Sequence, residues 1–295
     1  MRDNLVIFGP TASGKSSLSL ELARKNAGEI INMDSMQIYQ GMDIATAKPT
    51  KKEREAIAHH LFDIVEPDED FTTFNYKKLA LNCIKEIRRR GNNPILVGGT
   101  GLYLSSLYYD FDFRQRNREK RMILEKLFKD KGIEALQEEA EKKYPKLLGE
   151  IDKNNPHRLI RLLETGTIQN KKKRSSLALK LIILEEDKDI LNEKIRQRID
   201  KMLKDGLLDE VDKVYRLYGD KEYLPAIRGI GYKEYFPYLR GEISLEEAKE
   251  RHHISTRQYA KRQRTWGRNQ YSDAVFIPAH LSLEEKIYKI EEQWR

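Results

Sequence analysis

The segment GPTASGKS at residues 9–16 constrains the fold more than any other part of this chain, because it matches the phosphate-binding pattern G-x-x-x-x-G-K-[ST]. It follows the apolar run LVIFG at residues 5–9, which predicts a buried strand, and it opens a segment with a helical pattern. In that context the glycines let successive backbone N–H groups converge on phosphate oxygens, and the helix N-terminus adds a partial positive charge. The pattern therefore predicts an α/β protein that binds a polyphosphate.

Three further apolar runs predict strands at residues 29–34, 94–99 and 179–186. Helical patterns lie between them, as in residues 75–90, where the apolar side chains fall on one face. The alternation of strands and helices predicts a mostly parallel sheet flanked by helices. From residue 187 onward the pattern predicts helices only.

A highly charged stretch at residues 114–154 has a strongly helical pattern and carries no strand signal. We interpret it as a small all-helical insertion domain within an α/β core formed by residues 1–113 and 155–295. The chain has 295 residues, of which 39% are hydrophobic, and this is enough for one full core plus a smaller appended domain.

The overall charge favours a polyanionic partner, although many proteins are mildly basic: the formal net charge is +8. The single cysteine, Cys83, excludes an internal disulfide and a multi-cysteine zinc site. No apolar run approaches the roughly 20 residues of a membrane span, and the pattern of a signal peptide is absent from the first residues. We therefore expect a cytoplasmic protein with no membrane attachment. We also expect a monomer, although the sequence does not give the oligomeric state.

The phosphate loop indicates a polyphosphate ligand but does not by itself indicate hydrolysis of ATP. Lys15 contributes a full positive charge, and the hydroxyl of Ser16 can help to hold Mg²⁺. A phosphotransferase usually carries a magnesium-binding carboxylate at the end of a neighbouring strand. The run 94–99 ends without a carboxylate and is followed by Thr100. Asp34 ends the run 29–34, so we expect Asp34 and Thr100 at the carboxyl edge of the sheet, facing the bound phosphates. The alternative is that Asp34 caps a helix and Thr100 is an ordinary turn residue.

Seven segments follow one another along nearly the whole chain and carry more specific motifs. They are GPTASGKS at 9–16, DSMQIYQGMDIATAKP at 34–49, HHLFDI at 59–64, LVGGTGLY at 96–103, NPHRLIRLLE at 155–164, IGYKE at 230–234 and TRQYAKRQRTW at 256–266. Together they resemble the tRNA dimethylallyltransferase family, also called the tRNA isopentenyltransferase family. One position departs from the family, which usually has glycine where this chain has Ala45.

This resemblance implies a phosphate-loop α/β core with a helical insertion that grips the anticodon stem of tRNA. It implies transfer of a dimethylallyl group from dimethylallyl diphosphate to the exocyclic N6 amine of the adenine on the 3′ side of the anticodon. It also implies Mg²⁺ as cofactor, with the phosphate loop holding the diphosphate leaving group.

The resemblance also implies roles for individual residues. Asp34 is the expected general base and Thr100 a catalytic hydroxyl. The expected diphosphate ligands are Gly9, Pro10, Thr11, Ala12, Ser13, Gly14, Lys15, Ser16 and Arg228. The expected contacts with tRNA are Asp34, Ser35, Met36, Gln37, His157, Arg158, Leu159, Ile160 and Arg161.

Basic residues near the C-terminus support an RNA partner independently of the motifs. Tyr259 and Trp266 are interleaved among them, and a solvated helix face is the alternative interpretation. The run 171–174, KKKR, is either a second RNA contact or an ordinary surface loop. Four basic residues spaced by four, three and four positions would form one face of a helix and contact RNA phosphates: Arg257, Lys261, Arg264 and Arg268.

Three other functions are compatible with a phosphate loop. A small-molecule or nucleotide kinase would need ATP turnover and usually a second strand-end carboxylate. A non-catalytic RNA-binding NTPase would have no need of Asp34 or the LVGGTGLY motif. An isopentenyltransferase that acts on free adenine nucleotides is the closest alternative, and the long chain with its basic segment favours tRNA instead. Whether ATP binds at the loop stays open.

Overall fold

The computed structural model describes residues 2–111, 117–168, 173–221 and 223–294, with the side chain of Arg118 left out. The chain divides into two compact units, and the smaller one is Tyr109–Ser176. The predicted insertion, 114–154, is therefore too short at both ends. The NPHRLIRLLE segment belongs to the smaller unit and not to the α/β core, because its apolar face completes the core of that unit.

The larger unit contains a six-stranded, all-parallel sheet in the order β3-β2-β4-β1-β5-β6. The predicted fold class, a phosphate-loop α/β core with a parallel sheet flanked by helices, is confirmed. Four of the strands lie within two residues of the predicted runs, and β3 and β6 at the two edges were not predicted. The strands are β1 (Asn4–Phe8), β2 (Gly28–Asn32), β3 (His59–His60), β4 (Asn93–Gly98), β5 (Leu179–Glu185) and β6 (Val275–Pro278).

Helices cover both faces of this sheet and form the smaller unit. They are α1 (Lys15–Lys25), α2 (Lys51–Ala56), α3 (Thr73–Arg89), α4 (Gly101–Tyr108), α5 (Arg118–Lys143), α6 (Pro145–Leu148), α7 (Pro156–Thr165), α8 (Lys188–Lys204), α9 (Leu207–Tyr218), α10 (Phe236–Leu239), α11 (Leu245–Gln270) and α12 (Leu283–Gln293). The helix predicted at 75–90 is α3, which Thr72 and Asn75 begin with a reciprocal capping box. Within the described ranges, every helix is too short or too polar to cross a bilayer.

The prediction of helices only after residue 187 is wrong at β6. This strand has four residues and pairs in parallel with β5 over Ile182–Glu185. A run of four residues is too short to distinguish a strand from a loop by its pattern, so its pairing decides its conformation.

The turn after β4 approaches the end of β2 so closely that only glycine fits there. A Cβ on Gly98 would lie 2.2 Å from the backbone carbonyl carbon of Met33. The N–H of Thr100 donates to the carbonyl oxygen of Met33 at 3.2 Å. Because Asp34 follows Met33 directly, this contact brings the two residues predicted at the carboxyl edge of the sheet together.

In the smaller unit, α7 buries its apolar face against α5. Leu159 and Ile160 are almost fully buried there, whereas His157 and Arg158 are exposed. The predicted contacts of Leu159 and Ile160 with tRNA are therefore wrong for their side chains, which belong to the core of this unit. In an amphipathic helix, about half of the side chains of such a motif face inward.

Candidate active site

The phosphate loop, Gly9–Ser16, has the predicted setting between β1 and α1. Gly14 begins the helix in the left-handed conformation, with φ of 83°, which a glycine adopts without strain. The Nζ of Lys15 donates to the carbonyl oxygen of Pro10 at 2.6 Å, inside the loop. The hydroxyl of Ser13 is buried with no hydrogen-bond partner among the described residues, as expected for a group that completes its bonding on a ligand.

The charge of Lys15 is poised by its surroundings. Burial and the nearby Arg198 lower the pKa of Lys15 to about 7, and Asp34 opposes both effects. Two cationic groups lie close together at this loop with one carboxylate, Asp34, beside them, and this arrangement favours binding of a multiply charged anion. A diphosphate would satisfy that requirement.

Arg198 is a site residue that sequence reasoning missed. It lies on α8, and its guanidinium donates to the Oγ1 of Thr11 at 3.2 Å. Burial lowers its pKa, and Asp34 opposes that shift. The sequence contained a signal, because Arg198 falls three residues after Ile195 and four before Met202, on the stripe that α8 buries. A charged residue in phase with an apolar stripe needs a reason to be there.

Asp34 lies at the end of β2 in a turn that fixes its carboxylate. Its Oδ1 accepts the N–H of Met36 at 2.9 Å, and its own N–H donates to Oδ1 of Asn32 at 2.8 Å. Burial raises the pKa of the Asp34 carboxyl, while the Met36 N–H and the charges of Lys15 and Arg198 counteract the rise. Asp34 is therefore a stronger base than a solvated aspartate.

Thr100 positions the segment that follows Asp34. Its Oγ1 accepts the N–H of Ser35 at 2.9 Å and lies 3.2 Å from the Oγ of Ser35, to which it donates. Tyr259 of α11 lies close to Thr100 and Gln263, and burial raises its pKa. The structure thus brings Asp34 and Thr100 together as predicted, and it occupies the hydroxyl of Thr100 with protein contacts.

Gln263 of α11 is a second residue that sequence reasoning missed. Its Oε1 accepts the N–H of Thr11 at 2.9 Å, and its Nε2 donates to the carbonyl oxygen of Gly99 at 3.0 Å. One buried amide therefore connects the phosphate loop to the turn after β4. Gln263 is in phase with the buried Ala260 and Gly267, a position where a polar side chain signals a specific partner.

Thr11 of the phosphate loop, Asp34 and Arg198 line one cavity of about 420 Å³. Arg228, predicted as a diphosphate ligand, lies on the wall of this cavity and is exposed to it. Apolar side chains of α8, among them Ile199 and Met202, line another part. The cavity therefore offers cationic groups, a carboxylate and an apolar surface in one space. Its polar lining includes Thr11, Asp34, Ser35, Arg198 and Arg228.

Of the predicted tRNA contacts that follow Asp34, two line the cavity and one does not. Ser35 and Met36 line the cavity, as expected. The Nε2 of Gln37 instead donates to the carbonyl oxygens of Thr46 and Ala47, at 2.9 and 3.1 Å, so its amide nitrogen stabilises the neighbouring loop.

The loop that contains Ala45 is held by a single carboxylate. Glu210 of α9 accepts the N–H groups of Asp43, Ile44 and Ala45 at 2.8, 2.8 and 3.0 Å, and the hydroxyl of Tyr232 at 2.6 Å. Ala45 is not among the residues with positive φ, so alanine is accepted at this position without backbone strain.

The predicted basic face exists on α11. A groove of about 680 Å³ runs along α11 and the start of α8, and all four predicted residues line it: Arg257, Lys261, Arg264 and Arg268. Arg268 also pairs with Glu185 at 2.7 Å, which partly neutralises its charge. Of the run 171–174, Lys171 and Lys172 lie outside the described residues, and Arg174 forms a β-bridge with Tyr109 in the smaller unit.

Comparison with protein families gives two overlapping matches. The family described as IPP transferase matches residues 37–270, and the family described as isopentenyl transferase matches residues 3–65. A tRNA dimethylallyltransferase from Acetivibrio thermocellus is 44% identical over 98% of this chain and 96% of its own length. One from Bacillus velezensis is 42% identical over 90% of this chain and 88% of its own length.

Solved structures agree with these matches. The full-length tRNA isopentenylpyrophosphate transferase from Bacillus halodurans superposes with a TM-score of 0.75 at 38% identity, covering 99% of this chain and 95% of that protein. A eukaryotic dimethylallyltransferase acting on tRNA superposes with a TM-score of 0.82 at 30% identity, covering 95% of this chain and 74% of that protein. With a family match over most of its length and relatives above 40% identity, this chain belongs to the tRNA dimethylallyltransferase family.

Proposed function

We propose that this chain transfers a dimethylallyl group from dimethylallyl diphosphate to the N6 amine of the adenine next to the anticodon on its 3′ side. Prenyl transfer to tRNA is the activity of the family to which the chain belongs. One observation carries the finer assignment: Asp34, Arg228 and Thr11 of the phosphate loop face a single cavity. A donor and an acceptor can therefore meet beside a base.

The phosphate loop and two arginines would stabilise the leaving group. As the bond between the allylic carbon and the diphosphate oxygen breaks, negative charge grows on that oxygen. Fixed donors at this position lower the barrier most, because they need no rearrangement during the reaction. Lys15, Arg198 and Arg228 are the cationic donors of this region, and the loop amides add to them.

Asp34 would act on the acceptor. The lone pair of an exocyclic adenine amine is delocalised into the ring, so the amine is a weak nucleophile. As N6 forms its bond to the allylic carbon, the carboxylate of Asp34 accepts a proton from N6, and diphosphate leaves with the electron pair of the broken bond. The raised pKa of Asp34 suits this proton transfer.

We propose Mg²⁺ as the cofactor, bound mainly through the diphosphate. In the part of the chain that the structure describes, no group of three or more His, Cys, Asp or Glu side chains could hold a metal ion. The residues present fit an ion that is brought in by phosphate oxygens, because Mg²⁺ in such sites uses few protein ligands. The hydroxyl of Ser16, exposed in the first turn of α1, would be one of them, and the ion would neutralise diphosphate charge.

The anticodon stem-loop would present the adenine. A stacked base cannot reach a cavity, so the adenine must be extruded from the loop, which is least costly in a single-stranded region. The basic groove on α11 would contact RNA phosphates. In the smaller unit, the exposed His157 and Arg158 are the proposed contacts, and Arg161 is engaged with Glu164 at 3.1 Å.

Incubation of the purified protein with an unmodified tRNA transcript, Mg²⁺ and labelled dimethylallyl diphosphate tests this proposal. Nuclease digestion should yield one labelled nucleoside, N6-(dimethylallyl)adenosine, and a transcript with guanine at the target position should stay unlabelled. Parallel reactions with AMP as acceptor and with ATP as donor distinguish the alternatives. Labelling of AMP but not of tRNA, or phosphoryl transfer from ATP, would overturn the proposal.

A further inference from the structure

Trp266 of α11 is an exposed indole in a basic environment. It is 36% exposed, whereas Trp294, the only other tryptophan, is fully buried. Trp266 lines a second groove on α11, of about 500 Å³, on which the mechanism described above does not depend. Large aromatic side chains at the surface commonly mark binding sites, because their burial on binding releases much apolar surface.

A hydrogen bond and a close packing contact fix the indole of Trp266. Its Nε1 donates to the hydroxyl of Tyr271 at 3.1 Å. One face of its ring lies against the first residue of α4, where a Cβ on Gly101 would be 2.5 Å from Cδ1 of the ring. Only glycine permits this contact. A ring that is already immobilised loses little conformational entropy when a ligand stacks on it.

The charges around Trp266 favour an anionic ligand. Lys261 and Arg262 line the same groove, and the described residues that line it include no acidic side chain. The neutral residues there are mostly amides and a hydroxyl: Gln258, Thr265, Asn269 and Gln270. Cations, amides and a fixed aromatic face together are the groups with which proteins bind an unstacked nucleotide.

The groove borders the cavity that contains Asp34. Gln258 and Arg262 line both, so a ligand on Trp266 lies within one or two side chains of the reacting space. We propose that the indole of Trp266 stacks an unpaired base of the RNA substrate that neighbours the target adenine, with Lys261 and Arg262 near its phosphates. This inference rests on the proposed function and specifies how that same site holds the RNA.

Tryptophan fluorescence tests the inference directly. Because Trp294 is buried, emission that acrylamide quenches belongs to Trp266. An anticodon stem-loop RNA added without dimethylallyl diphosphate should protect Trp266 from acrylamide. With 2-aminopurine placed in turn at each unpaired position, one position other than the target should lose emission on binding to the wild-type protein. That loss should be absent with Trp266→Leu.

Affinity measurements complete the test. Trp266→Leu should weaken binding of the stem-loop by about ten-fold, in line with the loss of one stacked base, and Trp266→Phe should restore part of it. Tyr288→Leu is the matched control, because Tyr288 is an exposed aromatic on α12, outside both grooves, and should leave affinity unchanged.

Different measurements would contradict the stacking site and the proposed function. Wild-type protein that transfers the prenyl group but quenches no neighbouring position, or a Trp266→Leu variant with full affinity, would overturn the stacking site alone. The quenching measurement needs only wild-type protein, so a variant that fails to fold does not remove the test. A wild-type protein that transfers no prenyl group to tRNA would overturn the proposed function itself.

Discussion

At the scale of single residues, the site depends on three charged groups that alter one another. Lys15 and Arg198 repel each other, Asp34 partly offsets that repulsion, and the Asp34 carboxyl would have a higher pKa without the two cations. Each group is therefore in an unfavourable environment that a bound diphosphate and a reacting amine would relieve. Such mutual perturbation is characteristic of catalytic sites.

Replacement of Asp34 separates its chemical role from its structural one. The Asn side chain of Asp34→Asn keeps an oxygen that can accept the hydrogen bond from the Met36 N–H. An amide is too weak a base, however, to take up a proton from the adenine amine. We expect single-turnover prenyl transfer to slow by about 10²- to 10⁴-fold while tRNA affinity changes by less than about two-fold. Filter binding and single-turnover rates measure the two effects. Near-normal transfer by Asp34→Asn would refute its role as base.

Diphosphate binding should weaken as pH rises through the pKa of Lys15, which is about 7. Below that pH the free protein already carries the charged amine. Above it the amine is neutral and must take up a proton when the anion binds, so affinity falls by up to about ten-fold per pH unit.

Calorimetric titration with inorganic pyrophosphate at fixed Mg²⁺, from about pH 6 to about pH 9, measures this dependence. Lys15→Arg should lose it, because a guanidinium stays charged over this range. The difference between the two proteins removes the titration of the ligand itself. Parallel profiles for both would show that Lys15 is not the titrating group.

At the scale of elements, α11 does two tasks with opposite faces. Its buried face contributes Gln263 to the phosphate loop and Tyr259 to Thr100. Its exposed face carries the basic groove. An RNA bound along one side of this helix and a diphosphate bound on the other would therefore share a single rigid support.

Charge reversal on α11 tests its exposed face. Arg264→Glu should weaken tRNA binding and lower the slope of log affinity against log salt concentration by about 0.7 to 0.9 for each RNA phosphate that the protein no longer neutralises. Pyrophosphate binding should not change. Arg251→Glu is the control, because Arg251 lies on the same helix, pairs with Glu247 and is outside the groove. Equal effects of the two reversals would mean that net charge, and not this face, governs binding.

The elements that sequence patterns predicted are those that carry their own signal. The runs that became β1 and β4 are buried over nearly their whole length, so apolar composition alone identifies them. The two-residue β3 exists only through its pairing with β2. Among the predicted site residues, the loop, Asp34 and Thr100 do meet. Arg198 and Gln263 are polar residues in phase with buried stripes, which is a signal in the sequence, but their partner is known only when α8 and α11 are placed against the loop.

At the scale of the whole molecule, the C-terminal helix closes the core of the larger unit. Trp294, just after α12, is fully buried in the same cluster as Leu22 and Ile290, and its Nε1 donates to the carbonyl oxygen of Asp3 at 2.7 Å. The segment before β1 and the segment after α12 therefore stabilise each other. A monomeric state and a cytoplasmic location stay predictions.

Trp294→Ala should destabilise the larger unit by about 3 to 5 kcal/mol, because it leaves a cavity and an unpaired carbonyl. Differential scanning calorimetry with and without pyrophosphate measures this loss of stability. Trp294→Phe should lose less stability than Trp294→Ala. The variant should still gain stability from pyrophosphate, since Trp294 does not line the reaction cavity. A loss below about 1 kcal/mol would mean that α12 contributes little to this core.

The hydrogen bonds of Glu210 influence the shape of the reaction cavity from outside it. One carboxylate joins the loop at residues 43–45 to Tyr232. Ala45 in that loop and Ile230 and Lys233 beside Tyr232 line the reaction cavity, so Glu210 connects two of its walls that are remote in the chain. Shortening that side chain by one methylene would draw the walls together without altering any atom that meets substrate. We expect Glu210→Asp to change the shape of this cavity, although Glu210 is not among the residues that line it.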